Sequence, residues 1–187
     1  EIQKFRDGSD PDNYANANYL DEVFSRNGIQ TGHDLTLNGG TSSNRYMLSF
    51  GYLHQDGLIK KNNYERYNTR LNLITDILPN LTITTRLAGT YATRNEPTGK
   101  MLDIVSSAVR MPGLWPTFLS NGELGLGGKS EGTPPSVLYS NSFFEEPVFK
   151  VNAQIRVDYS PIKDLKLSAI GGFNHKNLEQ RTYNATR

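Results

Sequence analysis

The chain has 187 residues with 20 Lys and Arg against 19 Asp and Glu and no Cys. A net charge of +1 supplies no single-sign field of the kind that recruits nucleic acid, and the lack of Cys excludes disulfide frameworks, Cys-ligated zinc, iron–sulfur clusters and thiol nucleophiles. Mean hydropathy is −0.56 and no apolar run nears the roughly 18 residues of a membrane helix, yet 10 Tyr, 8 Phe and 17 Gly are too many for a disordered chain and point to β structure.

The opening Glu1-Ile2-Gln3-Lys4 has no start Met and no leader pattern, so the sequence reads as a piece of something longer. Residues 1–30, with Asp7-Gly8-Ser9-Asp10-Pro11, read as loop. Period-two alternation then predicts strands at about 33–39, 45–54, 64–77, 81–92, 148–159 and 165–174. In the second, Tyr46, Leu48, Phe50 and Tyr52 oppose Arg45, Met47, Ser49 and Gly51. In the third, Tyr67, Thr69, Leu71 and Leu73 oppose Arg66, Asn68, Arg70 and Asn72. The fifth has the cleanest repeat, setting Phe149, Val151, Ala153, Ile155 and Val157 against Lys150, Asn152, Gln154, Arg156 and Asp158. In the sixth, Ile170 breaks the pattern.

The turns after the first, third and fifth strands are short, whereas the connection over about 93–147 far exceeds the roughly 4–6 residues usual in compact domains. Within it Met101, Ile104, Val105 and Ala108 recur at helical spacing, with Thr98 as a candidate N-cap and Pro112 as a stop.

Alternation alone fits a soluble antiparallel sheet and an outer-membrane barrel equally. Three features favour the barrel. The short turns all fall at one end. Tyr46 and Tyr159 lie by those turns while Tyr52, Tyr67, Tyr91, Phe149 and Phe173 lie at the other end, as two aromatic girdles. The opposite face carries Arg66, Arg70, Arg86, Lys150 and Arg156, which suit a wet lumen and would be costly in a dry core. Six strands fall short of the roughly eight that the smallest barrels need, so the remaining wall is expected outside this chain.

Lys4-Phe5-Arg6-Asp7-Gly8-Ser9-Asp10-Pro11, Leu20-Asp21-Glu22-Val23-Phe24, His33 through Gly40, Gly51-Tyr52-Leu53, Arg66-Tyr67 and Arg70-Leu71-Asn72 resemble, in order and spacing, the SusC/RagA family of TonB-dependent outer-membrane transporters. Ala108-Val109-Arg110-Met111-Pro112 and the Pro116 region look like that family's long extracellular loop. One departure is Ala15-Asn16-Ala17-Asn18-Tyr19, which lacks the Pro and Trp common there and so questions the packing of that loop. The resemblance implies a multi-pass outer-membrane barrel of about 22 strands, with a signal peptide, N-terminal domain and plug outside this chain. It further implies import of oligosaccharides or peptides energised through TonB, a SusD-type surface lipoprotein as partner, a dimer of transporter–lipoprotein pairs, and no enzymatic activity or cofactor. The competing reading is a soluble extracellular β-sandwich that binds glycans.

Other motifs carry little. Gly128-Lys129-Ser130-Glu131-Gly132 spells G-x-S-x-G without the flanking strand and helix that strain a nucleophile turn, and Gly122 to Ser130 is one residue too long for a phosphate loop. His33, His54 and His175 lack metal-ligand spacing and read as solvated or lumenal, and Asp7, Ser9, Asp10 and Asp12 fail the calcium-loop spacing. For cargo, sugars want flat aromatic faces and planar hydrogen-bonding groups. The long loop offers Trp115, Phe118, Tyr139, Asn121 and Asn141, and the lumen wall offers Arg66, Arg70, Asn72 and Arg86 for cargo or plug.

Overall fold

The computed structural model describes residues 1–25, 27–98, 101–127 and 132–185. Two short helices, α1 (Ile2–Asp7) and α2 (Tyr19–Val23), precede six long strands: β1 (Gln30–Gly40), β2 (Asn44–Asp56), β3 (Asn63–Leu78), β4 (Leu81–Glu96), β5 (Phe143–Ile162) and β6 (Leu165–Leu178). Helices α3 (Met101–Arg110) and α4 (Ser136–Tyr139) lie between β4 and β5, and a short β7 (Arg181–Tyr183) pairs with the start of β5. The six long strands form one antiparallel sheet in chain order. It is an open piece of barrel wall, and the described residues contain no second sheet that could make it a sandwich.

Cross-strand register turns the sequence alternation into continuous rows. His33, Tyr52, Tyr67, Tyr91 and Phe149 stand side by side at the long-loop end of one face. Two rows nearer the short turns come Leu37, Leu48, Leu71, Leu87, Ala153 and Phe173. This face has large apolar side chains in the open, Leu37 at 49% and Phe173 at 61% exposure. A water-soluble sheet would bury such a row; a lipid-facing wall presents it. At the short-turn end, the ring of Tyr46 folds over Gly39, directly opposite it in the ladder, so a Cβ at Gly39 would run into the ring. Gly39→Ala is therefore expected to lower the yield of folded barrel. A yield equal to wild type on a gel of unboiled outer membranes would contradict it.

The strands outrun their alternation. β4 reaches Glu96 and β5 starts at Phe143, so the long connection covers 97–142 and not 93–147. Beyond the apolar band β4 turns polar, Phe143-Phe144-Glu145-Glu146 of β5 has no period of two, and the backbone ladder nonetheless continues, pairing Arg94 with Glu146 and Glu96 with Phe144. Ion pairs from Arg94 to Glu96 at 3.2 Å and to Glu146 at 3.3 Å line this extension. Ser160 to Ile162, expected in a turn, stays in β5 through a register shift before Ile162, and the reversal falls at Lys163-Asp164, with Asp164 at φ 70°.

The buried core lies outside the sheet. Tyr19 and Val23 of α2, Ile59 of the β2–β3 loop, Ile104 and Ala108 of α3, and Leu138 of α4 pack together, joined by Met101, Val105 and Val137. Segments read as loop, together with the helix expected around Met101 to Ala108, thus form a cap at the long-loop end. Residues 1–30, expected to be loop, instead carry two helices, the first closed by Gly8 in the left-handed region (φ 66°) and the second capped by the Asn18 side chain. Helix α3 forms where the apolar spacing placed it, and burial of its inner stripe explains why so short a helix holds. Gly99 and Lys100, between the candidate cap Thr98 and the first helical residue Met101, lie outside the described residues, as does most of the G-x-S-x-G stretch, Gly128 to Glu131.

Candidate functional site

Two surfaces can meet a ligand: the polar face of the sheet and the cap at its long-loop end. On the polar face β4 presents only small side chains between Arg86 and Arg94, namely Ala88, Thr90 and Ala92, with larger ones on its neighbours. Ladder pairing sets Arg66 and Arg70 of β3 on one side of this lane, opposite Ala92 and Ala88, and Lys150 and Asn152 of β5 on the other, opposite Thr90 and Ala88. The lane is bounded at the long-loop end by the Arg94–Glu146 ion pair (3.3 Å) and at the other by Arg86, which donates to Gln154 Oε1 at 3.1 Å. Thr90 Oγ1 donates to Asn68 Oδ1 (3.2 Å), fixing the lane's side wall. A hollow of about 440 Å³ opens here, lined by Tyr64, Arg66, Asn68, Arg94, Lys150 and their neighbours. Nearer the short turns, Arg156 grips Asp158 with Nε at 2.9 Å from Oδ2, and Arg45 holds Asp76 at 3.1 Å.

Of the expected wall residues, Arg66, Arg70, Asn72 and Arg86 share this face, with Asn72 directly opposite Arg86. Lys150, Asn68 and Thr90 complete the lane; the sequence set Lys150 and Asn68 on the lumenal face but not among the candidate cargo contacts. Alternation put them on the right face, but their neighbours appear only with the register. Of the three histidines, read as solvated or lumenal, none faces the lumen and all keep access to solvent. His33 stacks on Tyr52 (6.3 Å between centroids) and His175 on Phe173 (6.4 Å), both on the apolar face, where imidazoles join the aromatic rows. His54 lies at the long-loop end with its ring nitrogens 3.1 Å from Asp56 and 3.2 Å from Glu65.

In the cap, Phe118 meets Tyr139 edge to face at 4.8 Å, and Lys60 from the β2–β3 loop reaches the Tyr139 hydroxyl at 3.3 Å. Phe118 and Tyr139 are thus brought together, with Lys60 as an unforeseen third member. Trp115, Asn121 and Asn141 are not part of that contact. The Trp115 carbonyl accepts the Tyr19 hydroxyl (2.7 Å), and Asn121 closes its own turn on Glu123 (2.9 Å), while Asn141 is exposed. Asp12 ties the long loop to the N-terminal segment through the backbone N–H of Ser120 (2.8 Å) and its hydroxyl. Ala17 does the same through the Gly113 carbonyl (2.9 Å), and Tyr19 is only 2% exposed, so the departure at 15–19 does not loosen this loop.

Asp7 and Asp10 close their own turns. Asp7 accepts the Ser9 backbone N–H (3.0 Å); Asp10 accepts the Asn13 side-chain amide (2.9 Å) and pairs with Lys4 (3.3 Å). These contacts, led by Ser9 for Asp7 and Asn13 for Asp10, hold both carboxyls below their ordinary value of 3.8. A depressed folded pKa stabilises above that value and is lost as pH falls through the lower folded one. Amide exchange at Ser9, whose N–H the Asp7 carboxylate accepts, is therefore expected to be flat from pH 7 to 5, relative to unstructured peptide, and to accelerate below about pH 4. Constant protection down to pH 2 would contradict this. Burial raises the Tyr19 hydroxyl, partly offset by its bond to Trp115. Among the described residues no group of acidic and histidine side chains has metal-binding geometry.

No family model matches the chain. The TonB-dependent receptor SusC of Bacteroides thetaiotaomicron is 34% identical over 59 residues, which is 32% of this chain and 6% of that protein. The solved structure of the RagAB peptide transporter matches 88% of this chain and 19% of its own, with a TM-score of 0.71 and 25% identity. The chain is SusC/RagA-like in sequence and in fold, a stretch of outer-membrane barrel wall. The TonB-dependent receptor P3 of Formosa agariphila aligns with this SusC-like segment over 173 residues at 22% identity, 88% of the chain and 17% of the receptor. The segment thus spans less than a fifth of the length of each relative. Its fit to the closed-closed and open-open states of the RagAB peptide importer is the same, TM-score 0.71 in both. These relatives are named as receptors and transporters, not as enzymes.

Proposed function

We propose that this segment forms part of the wall and the extracellular lid of a transporter that imports an oligosaccharide or a peptide, driven through TonB and working with a SusD-type surface lipoprotein. One observation carries the reading: a single ladder presents a mainly apolar face with an aromatic row on one side and a cationic, amide-rich face on the other. Lipid takes the first face and a hydrated lumen the second. The strands supply the wall. The described parts of residues 1–29 and 97–142, tied to each other by Asp12, Ala17 and Tyr19, supply a packed lid over the long-loop end. Phe118, Tyr139, Asn121, Asn141 and Trp115 in the lid, and Arg66, Arg70, Asn72 and Arg86 in the wall, are the candidate cargo contacts. Energy coupling belongs to regions outside this segment.

The test is to express the full-length protein and examine outer membranes. A band that migrates faster unboiled than boiled and co-purifies with a surface lipoprotein is the expected result. Recovery of the protein in the soluble fraction would overturn the reading.

A further inference from the structure

The apolar face of the sheet is not level. One row inside the aromatic girdle, Leu35, Phe50, Thr69, Gly89 and Val151 stand opposite one another across β1 to β5. Thr69 is short and Gly89 has no side chain, so the wall drops to the backbone where β3 meets β4. Around the drop stand Phe50, Tyr67, Tyr91 and Phe149, each about half exposed. They line a hollow of about 500 Å³. Strands of this chain flank its floor on both sides, so no part of a barrel beyond them is needed to form it. A Cβ at Gly89 would come within 3.1 Å of the Thr69 methyl, so the two strands fit each other around a missing side chain. Hydrocarbon offers no water to fill such a hollow, and left empty it forfeits dispersion contacts with every residue around it.

Resting on the reading of this face as lipid-facing, we propose that the hollow is a resident site for one acyl chain of a lipid from the surrounding bilayer. Continuity points to that occupant, because the hollow opens directly onto Leu48, Leu71 and Leu87, the next row of the face that hydrocarbon covers. Its one acid, Asp34, turns to the other face beside Gly51, and no Glu, Lys or Arg lines it among the described residues. Against a flat apolar wall a chain gains little, since its neighbours in the bilayer are as apolar as Leu. In the hollow it gains contact with rings on several sides and with the backbone below. The girdle sets the depth. Tyr67 and Tyr91 lie at the headgroup boundary, so the part of the chain next to the ester enters the hollow and the tail runs on over Leu71 and Leu87.

The full-length protein with its surface lipoprotein is placed in phosphatidylethanolamine vesicles doped with a phosphatidylethanolamine that carries a photoreactive diazirine near the ester of one chain. Labelled peptides are then mapped by mass spectrometry. Labelling around Thr69 and Gly89 is expected to reach a plateau at low mole fraction of the probe, while labelling elsewhere on this face rises in proportion to it. Thr69→Leu and Gly89→Leu fill the hollow and should abolish the plateau; Thr69→Ser leaves it open and should keep it. Proportional labelling at every position in wild type, or a plateau that survives both filling substitutions, would overturn the site. The wild-type curve decides even where a variant fails to assemble. The unboiled fast-migrating band reports the lipid-facing reading independently, so a protein that gives the band with only proportional labelling loses the site and keeps the wall.

Discussion

Leu71→Arg in the full-length protein is expected to block assembly, whereas Asn72→Arg, one residue on, is expected to leave it intact. Leu71 sits mid-strand on the apolar face between Leu48 and Leu87. An Arg there must take its charge into hydrocarbon at a cost of about 2–4 kcal/mol near the midplane. Asn72 points to the other face, opposite Met47 and Arg86, where water and the Gln154 amide are at hand. Neighbouring positions on one strand share length, strand propensity and distance from the turns, so only the identity of the face separates them. The fast-migrating unboiled band should be lost in the first variant and kept in the second. Equal assembly of both would contradict the assignment of faces.

Tyr19→Ala is expected to free the lid without unmaking the wall. Tyr19 lies at the centre of the cap core, against α3 and α4, and its hydroxyl holds the Trp115 carbonyl at 2.7 Å. Truncating a buried ring of this size costs about 3–5 kcal/mol. Tyr19→Phe removes only the hydroxyl bond and should cost about 1 kcal/mol. Because β1 to β6 take their stability from the ladder and the membrane, the loss should fall on residues 97–142 and the N-terminal segment. Protease added to intact cells should nick the long loop over a hundredfold faster in Tyr19→Ala, a few-fold faster in Tyr19→Phe, and leave the unboiled band unchanged in both. If Tyr19→Ala is nicked no faster than wild type, the cap does not depend on this core.

The wall was legible because its pattern is local. Leu71 and Asn72 declare opposite faces from sequence alone, and the Tyr46-to-Tyr52 alternation needs no partner to be read. The cap was not, because its core draws single residues from separate segments: Tyr19, Ile59, Ile104 and Leu138 have no shared period. Strand ends were missed where the period of two fails, as in the polar stretch Arg94 to Glu96 and in Phe143-Phe144-Glu145-Glu146, since hydrogen-bonded pairing continues without an alternation to mark it. Arg181–Tyr183 is too short for any periodicity, and only the stacking of Tyr183 on Phe143 at 5.7 Å shows why it pairs there. The cationic lane stood half revealed. Arg66 and Arg70 were visible as wall residues, but Lys150 joins them only through the register of two ladders with β4 between.

The most direct test is a scan of single cysteines from Arg66 to Leu73 in a cysteine-free full-length protein, which this segment favours by having no Cys of its own. Each position is labelled with a fluorophore and exposed to a quencher carried on lipid chains. The account predicts strong quenching at Tyr67, Thr69, Leu71 and Leu73 and weak quenching at Arg66, Asn68, Arg70 and Asn72. Uniform quenching along the strand, or an alternation of the opposite phase, would contradict it.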